Sequence, residues 1–367
     1  MKLNRFFMIA AAVAAFASCS TSPKVAPAIP QDKEIEAKIE KILKKMTLEE
    51  KIGQMTQIAV TSVAGRGVDL TAAGDSIIRT YKVGSILNTP GDIAQTPEDY
   101  NKLVKELNRI SMEEMGIPCL YGLDHIHGTS YVLGGVLFPQ EIGIAATFNR
   151  DHAYNMGKVT AYESRAANVP WTFSPTMDLG RNPAWPRMWE SFGEDTYVNA
   201  AMAVAEVKGM QGDDPNHVGP YGIAACAKHF MGYGVPVTGQ DRTPSSIAAS
   251  ELREKHFEPF KEAMQAGALS IMVNSGSNNE VYSFGDEAYP ILEKYPVLLP
   301  VMWGKRAFSF VFFPSKRKQM KETMKDQPRE TLSTFINVYG EDLDFQDTDD
   351  PWYLIKKVSE LPADQQP

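Results

Sequence analysis

Lys228 and His229 lie side by side at the end of the apolar run "GIAACA" (222–227), directly before the glycine-containing loop "FMGYG" (230–234). Charged side chains rarely end a buried strand, because burying a charge is costly. Two aspartates also stand at the ends of apolar runs, since Asp124 follows "CLYGL" and Asp178 follows "WTFSPTM". Each residue alone is better explained as a loop carboxylate or a helix cap. Together they favour a polar pocket.

The loop that begins at Asp178, "DLGRNPAWPRMWESFGED" (178–195), combines two arginines with two tryptophans and several acidic residues. Arginine can donate paired hydrogen bonds to vicinal oxygens, and tryptophan offers a flat face on which a sugar ring can stack. The composition therefore suits a carbohydrate ligand. A buried ion-pair network that holds a long loop is the alternative, and both interpretations can hold at once.

The other histidines and the cysteines are interpreted as structural. His256 lies in the helical stretch "ELREKHFEPFKEAM" and is predicted to be a surface or packing residue. His125 and His127 flank the turn "DHIHG", where turn hydrogen bonding is favoured over metal ligation. Cys119 and Cys226 lie in apolar runs and are predicted to be buried free thiols rather than a disulfide. No metal and no cofactor is predicted.

Short apolar runs alternate with amphipathic helical stretches along the chain, which indicates parallel strand pairing. A helix is predicted to begin at the capping box formed by Thr47 and Glu50. The predicted strands are "VGSIL" (83–87), "CLYGLD" (119–124), "WTFSPTMD" (171–178), "GIAACAKH" (222–229) and "ALSIMVN" (268–274), and the predicted helices cover 97–114, 150–166, 196–210 and 249–266.

This alternation predicts an α/β fold, and a (β/α) barrel fits it best. No G-x-G-x-x-G motif follows the first strand, which disfavours a dinucleotide-binding fold. Barrels of this class assemble their sites from the C-terminal ends of several strands. Asp124, Asp178 and the Lys228–His229 pair are therefore expected to meet at one end of the barrel.

The N-terminus predicts export and a lipid anchor. The basic "MKLNR" and the apolar "FFMIAAAVAAFA" precede "FASC", which indicates a lipoprotein signal peptide at 1–18 and lipidation of Cys19. A simple secretory signal or a fortuitous cysteine is the alternative. Residues 19–46 would form a tether and a leading helix. The protein is expected on the periplasmic side of a bacterial envelope, with membrane contact through lipid only.

The net charge of the chain is −8, so it has no excess of basic residues that would favour nucleic-acid binding.

Six stretches, in this order, resemble the N-terminal barrel of glycoside hydrolase family 3, in its β-glucosidase branch. They are "MTLEEKIGQM", "GIPCLYGLDHIHG", "LFPQEIGIAATFN", "FSPTMDLGRNPAWPRMWESFGEDTY", "AACAKHFMGYG" and "SSIAASELRE". The resemblance extends from about Thr47 to Asn278, so a barrel domain is expected over 47–279. It implies a (β/α)8-type TIM barrel and the hydrolysis of β-glucosides by a retaining mechanism.

The resemblance also implies roles for individual residues around the sugar in the −1 subsite. Asp124 would bind ring hydroxyls, and Arg187 would bind the same ring with Glu190 orienting it. Lys228 and His229 would both reach that sugar across a cis peptide bond. Met231 would line the edge of the pocket.

The pattern of the family stops after "IMVNSGSNN". The family's nucleophile is an aspartate in a Ser/Thr-Asp-Trp setting, and no such motif occurs in the 367 residues. Asp286 lies too early in the chain to take its place. The acid/base glutamate of this branch comes from a second domain, which we do not find. The loop "GYGVPVTGQDRTP" has no histidine, which favours the glucosidase branch over the N-acetylglucosaminidases.

Residues 280–367 form a divergent segment whose tail, from "STFINVYGEDLDF" onward, resembles a fragment of an α/β-hydrolase esterase. No G-x-S-x-G nucleophile elbow accompanies it. We therefore expect an incomplete barrel and little glycosidase turnover. Two alternatives stay open: a sugar-binding lipoprotein without catalysis, and a truncated or chimeric product that folds poorly.

Overall fold

Short strands alternate with helices in most of the part of the chain that the structure describes. The structure is a computed structural model and describes residues 33–214, 218–279 and 281–282. The predicted signal peptide (1–18), Cys19 and Asp286 lie outside the described residues. So does most of the predicted divergent segment, including the tail that resembles an esterase.

The order of the elements follows the predicted alternation, although most strands are shorter than predicted. The helices are α1 Lys33–Leu43, α2 Leu48–Met55, α3 Thr61–Ala64, α4 Ala72–Tyr81, α5 Pro97–Met115, α6 Glu141–Ala145, α7 Arg150–Ala166, α8 Thr196–Gln211, α9 Ala249–Glu251 and α10 Phe257–Gln265. The strands are β1 Gln57–Ala59, β2 Ser85–Leu87, β3 Leu120–Leu123, β4 Trp171–Thr172, β5 Cys226–Phe230, β6 Ser270–Val273, β7 Ser277–Asn278 and β8 Val281–Tyr282.

Strands β1 to β4 pair in chain order, and every pairing is parallel. Strand β5 pairs with β6, also in parallel. Parallel bridges from Trp171 to Ala224 and from Thr176 to Lys228 connect the two sheets. Strands β1 to β6 are thus neighbours in chain order, as a TIM-barrel fold requires. The prediction of an α/β barrel is confirmed.

The N-terminal capping box is present as predicted. The Glu50 amide donates to Thr47 Oγ1 at 3.2 Å, and the Thr47 amide donates to Glu50 Oε2 at 2.8 Å. This reciprocal pair satisfies two amides that would otherwise lack partners at the start of α2. Helix α5 begins with an equivalent threonine cap, where the Asp99 amide donates to Thr96 Oγ1 at 3.1 Å.

The barrel interior is packed tightly around aromatic rings. Trp171 and Phe173 meet edge to face at 4.9 Å, and Trp171 Nε1 donates to Ser270 Oγ at 3.0 Å. Gly122 on β3 faces both rings, and a Cβ there would lie only 2.5 Å from Phe173 Cζ. Glycine is required at this position because the Phe173 ring fills the space of a side chain.

The fold differs from the prediction in several places. Helices α3, α4 and α6 were not predicted, β4 covers only two residues of the predicted 171–178, and β7 pairs with β8 in an antiparallel arrangement. Strand β1 was not predicted, because three residues are too short to show an alternating pattern. The helix predicted over 249–266 is divided, with a π-helical turn at Leu252–His256 between α9 and α10. Among the described helices, none is both long and apolar enough to cross a membrane.

Candidate functional site

Lys228 and Asp124 meet at the C-terminal ends of β5 and β3. Lys228 Nζ donates to Asp124 Oδ1 at 2.5 Å. The two side chains differ in exposure, at 2% for Lys228 and 34% for Asp124. The buried ammonium is thus held by a carboxylate that also reaches the open end of the barrel.

The backbone around Lys228 is irregular, as the resemblance implied. The Lys228–His229 peptide bond is cis, and so is the Phe230–Met231 bond. The register between β5 and β6 also shifts between Lys228 and Phe230. Regular strand geometry would send adjacent side chains to opposite faces of the sheet. Here Lys228 and His229 both bond to carboxylates that follow neighbouring strands.

Asp124 is held in its ionised form by its neighbours. Burial alone would raise its pKa, but the Lys228 ammonium, with smaller contributions from His229 and Arg187, holds the pKa below the ordinary value. Asp124 is therefore a carboxylate with acceptor capacity at neutral pH. A carboxylate has about four lone-pair positions, so the bond to Lys228 leaves capacity for a ligand.

Asp178 binds His229 through one oxygen. Its Oδ2 accepts from the His229 backbone amide at 3.2 Å and contacts His229 Nδ1 at 2.8 Å. Burial lowers the pKa of His229 well below its usual value, and Lys228 and Arg187 add to that effect. Burial also raises the pKa of Asp178 to about 7, although Arg187 and the His229 amide oppose the rise. The imidazole is therefore neutral, and the contact with Asp178 is a hydrogen bond rather than an ion pair.

Arg187 and Glu190 form a paired ion bridge beside this cluster. Arg187 Nε donates to Glu190 Oε1 at 2.8 Å, and Arg187 Nη2 donates to Glu190 Oε2 at 2.6 Å. Burial by itself lowers the pKa of Arg187, but Glu190 outweighs it and the pKa is raised. The bidentate contact fixes the plane of the guanidinium; the orienting role of Glu190 toward a sugar stays a prediction.

Tyr233 connects the arginine to the histidine and was missed in the sequence. Its ring packs edge to face on His229 at 4.9 Å, and the Arg187 guanidinium lies 5.5 Å from its centre. Arg187 Nη1 also donates to Tyr233 Oη at 3.4 Å, and Tyr233 Oη donates to Asp241. Tyr233 stands four residues after His229, and this short separation was the only signal in the sequence that it could belong to the site.

Met231 is buried, with 2% of its surface exposed, within the larger hydrophobic cluster. Its carbonyl accepts from Asn278 Nδ2 at 2.8 Å and from Asn274 Nδ2 at 3.3 Å. These bonds tie the chain after β5 to the segment after β6. Its predicted place at the pocket edge stays a prediction.

The two histidines of the "DHIHG" turn and the two described cysteines have structural surroundings. His125 Nδ1 lies 2.7 Å from Ser164 Oγ, and His127 Nδ1 lies 3.0 Å from the Phe138 carbonyl. Cys119 and Cys226 are buried and free, and burial raises the pKa of each thiol to about 12. Thiols with such high pKa values are poor nucleophiles. Among the described residues, no group of three or more His, Cys, Asp or Glu side chains is arranged to hold a metal.

Curated relatives match the same part of the chain. A lysosomal beta glucosidase of Dictyostelium discoideum is 36% identical over 289 residues, which cover 74% of this chain and 34% of the relative. A periplasmic beta-glucosidase of Salmonella typhimurium is 33% identical over 239 residues, which cover 65% of this chain and 29% of the relative. The chain thus spans about a third of the length of these relatives.

Solved structures and a family profile agree with the sequence relatives. The crystal structure of an exo-1,3/1,4-beta-glucanase from a Pseudoalteromonas species superposes with a TM-score of 0.69 at 25% identity, covering 90% of this chain and 47% of that one. Residues 47–282 match the profile of the glycosyl hydrolase family 3 N terminal domain. The matched range includes Asp124, Asp178, Arg187, Lys228 and His229. The chain belongs to glycosyl hydrolase family 3.

Proposed function

We propose that the barrel end around Asp124 and Lys228 binds the terminal glucose ring of a β-glucoside. The observation that carries the proposal is the 2.5 Å contact between Lys228 Nζ and Asp124 Oδ1 at the mouth of the barrel. It places a donor and an ionised acceptor side by side, one buried and one partly exposed. Adjacent sugar hydroxyls both donate and accept, so they can bond to the two groups at once.

His229 adds an acceptor of defined orientation. When Asp178 is ionised, His229 Nδ1–H donates to it, and Nε2 then carries a lone pair. A sugar hydroxyl could donate to Nε2 while accepting from Lys228. Because burial raises the pKa of Asp178 to about 7, this arrangement becomes more populated as the pH rises through 7.

Arg187 would bind the same ring from the adjacent loop. Its Nε and Nη2 are taken by Glu190, which holds the guanidinium plane in place. Nη1 extends toward Tyr233 at 3.4 Å, a distance at which a shorter bond to a ligand hydroxyl would compete favourably. Glu190 therefore acts on the sugar through Arg187.

The proposed reaction is the hydrolysis of terminal β-glucosyl bonds with retention, in keeping with the beta-glucosidase names of the two relatives. A retaining mechanism needs two carboxyl groups about 5–5.5 Å apart. We assign neither of them to a described residue, and no Ser/Thr-Asp-Trp motif occurs in the 367 residues. Asp124, Arg187, Lys228 and His229 bind the substrate in this proposal and do not cleave it. Sugar binding without turnover is the second candidate.

Two assays on the purified 367-residue chain separate these candidates. Glucose titration followed by tryptophan fluorescence should show saturable binding at millimolar concentrations. Hydrolysis of an aryl β-glucoside should be slow. Robust turnover would show that a catalytic carboxyl group has been overlooked. A folded protein that does not respond to millimolar glucose would remove the sugar-binding proposal.

We also propose that the protein is anchored through Cys19 on the periplasmic side of the envelope. The short basic and apolar segments before "FASC" support the anchor, and a periplasmic relative supports the compartment. Cys19→Ala should move the protein from the membrane fraction to the soluble fraction. An unchanged membrane fraction would contradict the anchor.

A further inference from the structure

Two fully buried glutamates lie behind Lys228, and neither has a role in sugar binding as proposed above. Glu141 is the first residue of α6, Glu206 lies in α8, and each has 0% of its surface exposed. Ser174 Oγ lies 2.7 Å from Glu206 Oε1 and 3.3 Å from Glu141 Oε1. One hydroxyl has a single proton to donate, so two carboxyl groups from different helices converge on one donor.

The same pair holds the backbone on which Lys228 lies. The Thr176 amide donates to Glu141 Oε1 at 3.1 Å. Between Ser174 and Thr176, the Pro175 carbonyl accepts from the Lys228 amide at 3.0 Å, and the Lys228 carbonyl accepts from the Met177 amide at 2.6 Å. Glu141, Glu206 and Ser174 thus fix the segment that sets the position of β5 at Lys228.

The charges around the pair do not support two ionised carboxylates. Burial raises the pKa of both groups, and repulsion from Glu206 raises that of Glu141 further. Lys228 on β5 opposes the rise, whereas Glu190 from the loop that follows β4 adds to it for Glu141. Within the described residues, the second oxygen of each carboxyl has no hydrogen-bond partner. Two negative charges here would be buried without compensation.

We infer that Glu141 and Glu206 hold a proton between them at neutral pH and act as positioning residues for Lys228. The protonated pair can share the Ser174 hydroxyl and keep Thr176 in place. Loss of that proton forces two like charges apart, which shifts the Ser174–Thr176 segment and with it Lys228. Any effect of this shift on ligand binding rests on the proposed sugar-binding function.

Thermal unfolding across pH tests the proton itself. An acid whose pKa is higher in the folded state contributes stability that is lost as the pH rises, beginning above the ordinary glutamate value of about 4.3. Glu206→Gln keeps the shape and cannot ionise. Its Tm relative to wild type should therefore increase as the pH rises from 5 and level off once the pair has lost its proton. Glu254→Gln, at an exposed position, is the control and should show no such trend.

A difference between Glu206→Gln and wild type that does not change with pH would overturn the shared proton. If Glu206→Gln does not fold, Glu141→Gln takes its place, because removal of either charge relieves the same repulsion. The test needs no sugar, so its result is independent of the proposed function.

Glucose affinity across pH tests the positioning role. Relative to Glu206→Gln, wild type should lose about tenfold in affinity per pH unit once the pair has lost its proton; the ionisation of Asp178 affects both proteins alike. Identical pH profiles would contradict positioning.

If wild type binds no glucose, the proposed function fails and positioning is decided by NMR of the Lys228 ε-CH₂ group. That signal should titrate with the pair in wild type and stay fixed in Glu206→Gln; a signal unaffected by the substitution would reject the role.

Discussion

At the scale of residues, the same arginine–glutamate geometry occurs twice in very different surroundings. Arg187 and Glu190 make two hydrogen bonds at the barrel mouth, with side-chain exposures of 21% and 15%. Arg109 and Glu106 make an equivalent pair on the surface of α5, with exposures of 48% and 43%. The inner pair is less screened by water, so its geometry should matter more.

Arg187→Lys is expected to weaken glucose binding by on the order of tenfold or more, because an ammonium cannot reproduce the fork that Glu190 holds. It should also lower the free energy of unfolding by ~1–2 kcal/mol. Urea unfolding and glucose titration measure the two effects. Arg109→Lys is the matched control and should change stability by no more than about 0.5 kcal/mol. Equal effects of the two substitutions would show that the inner pair has no special role.

The residues that bind the sugar in our proposal were visible in the sequence, but the residues behind them were not. Lys228, His229 and Asp124 stood out because charged side chains ended apolar runs. Glu141 follows "FPQ" at a helix start, where an exposed acidic residue is ordinary. Its complete burial depends on the contact with Ser174 and Thr176, which only the packed fold supplies.

At the scale of elements, the close approach of α7 and α8 fixes the position of Glu206. Gly209 on α8 lies against the backbone of α7, and a Cβ there would meet the Tyr154 carbonyl oxygen at 2.1 Å. The neighbouring contact is similar, since a Cβ on Gly157 would meet the Glu206 carbonyl oxygen at 2.5 Å. The two glycines let the helices pack with their backbones in contact.

Gly209→Ala should therefore force α8 away from α7 and destabilise the protein by about 1–3 kcal/mol, as overpacking does. Chemical denaturation measures the loss. Gly219→Ala is the control, because nothing lies within 4 Å of its Cβ position, and it should change stability by no more than about 1 kcal/mol. A loss as small at Gly209 as at Gly219 would show that the helices can separate freely.

Element type and order followed from local patterns, whereas the irregular points did not. The helix predicted over 150–166 has those bounds in the structure, where an asparagine cap precedes a buried face of mostly small residues. The π-helical turn at Leu252–His256 and the second cis bond, Phe230–Met231, leave no mark in hydrophobic periodicity. Both depend on how the chain packs around the barrel.

At the scale of the whole molecule, strand order explains why distant residues meet. Asp124 follows β3, Asp178 follows β4, and Lys228 and His229 belong to β5. These strands are neighbours in the fold, and parallel strands bring their C-terminal ends to the same side. A separation of 104 residues between Asp124 and Lys228 thus becomes a direct hydrogen bond.

The most direct test of the sugar-binding claim compares glucose titrations of Asp124→Asn and wild type by isothermal calorimetry, with circular dichroism to confirm the fold. Asp124→Asn removes the charged acceptor, and glucose affinity should fall by about 10- to 100-fold. Asp69→Asn makes the same change in an exposed ion pair and should bind like wild type. If Asp124→Asn does not fold, Asp124→Glu, which moves the carboxylate by one methylene, is tested instead. Wild-type affinity in Asp124→Asn, or no saturable binding by the folded wild-type chain, would contradict the account.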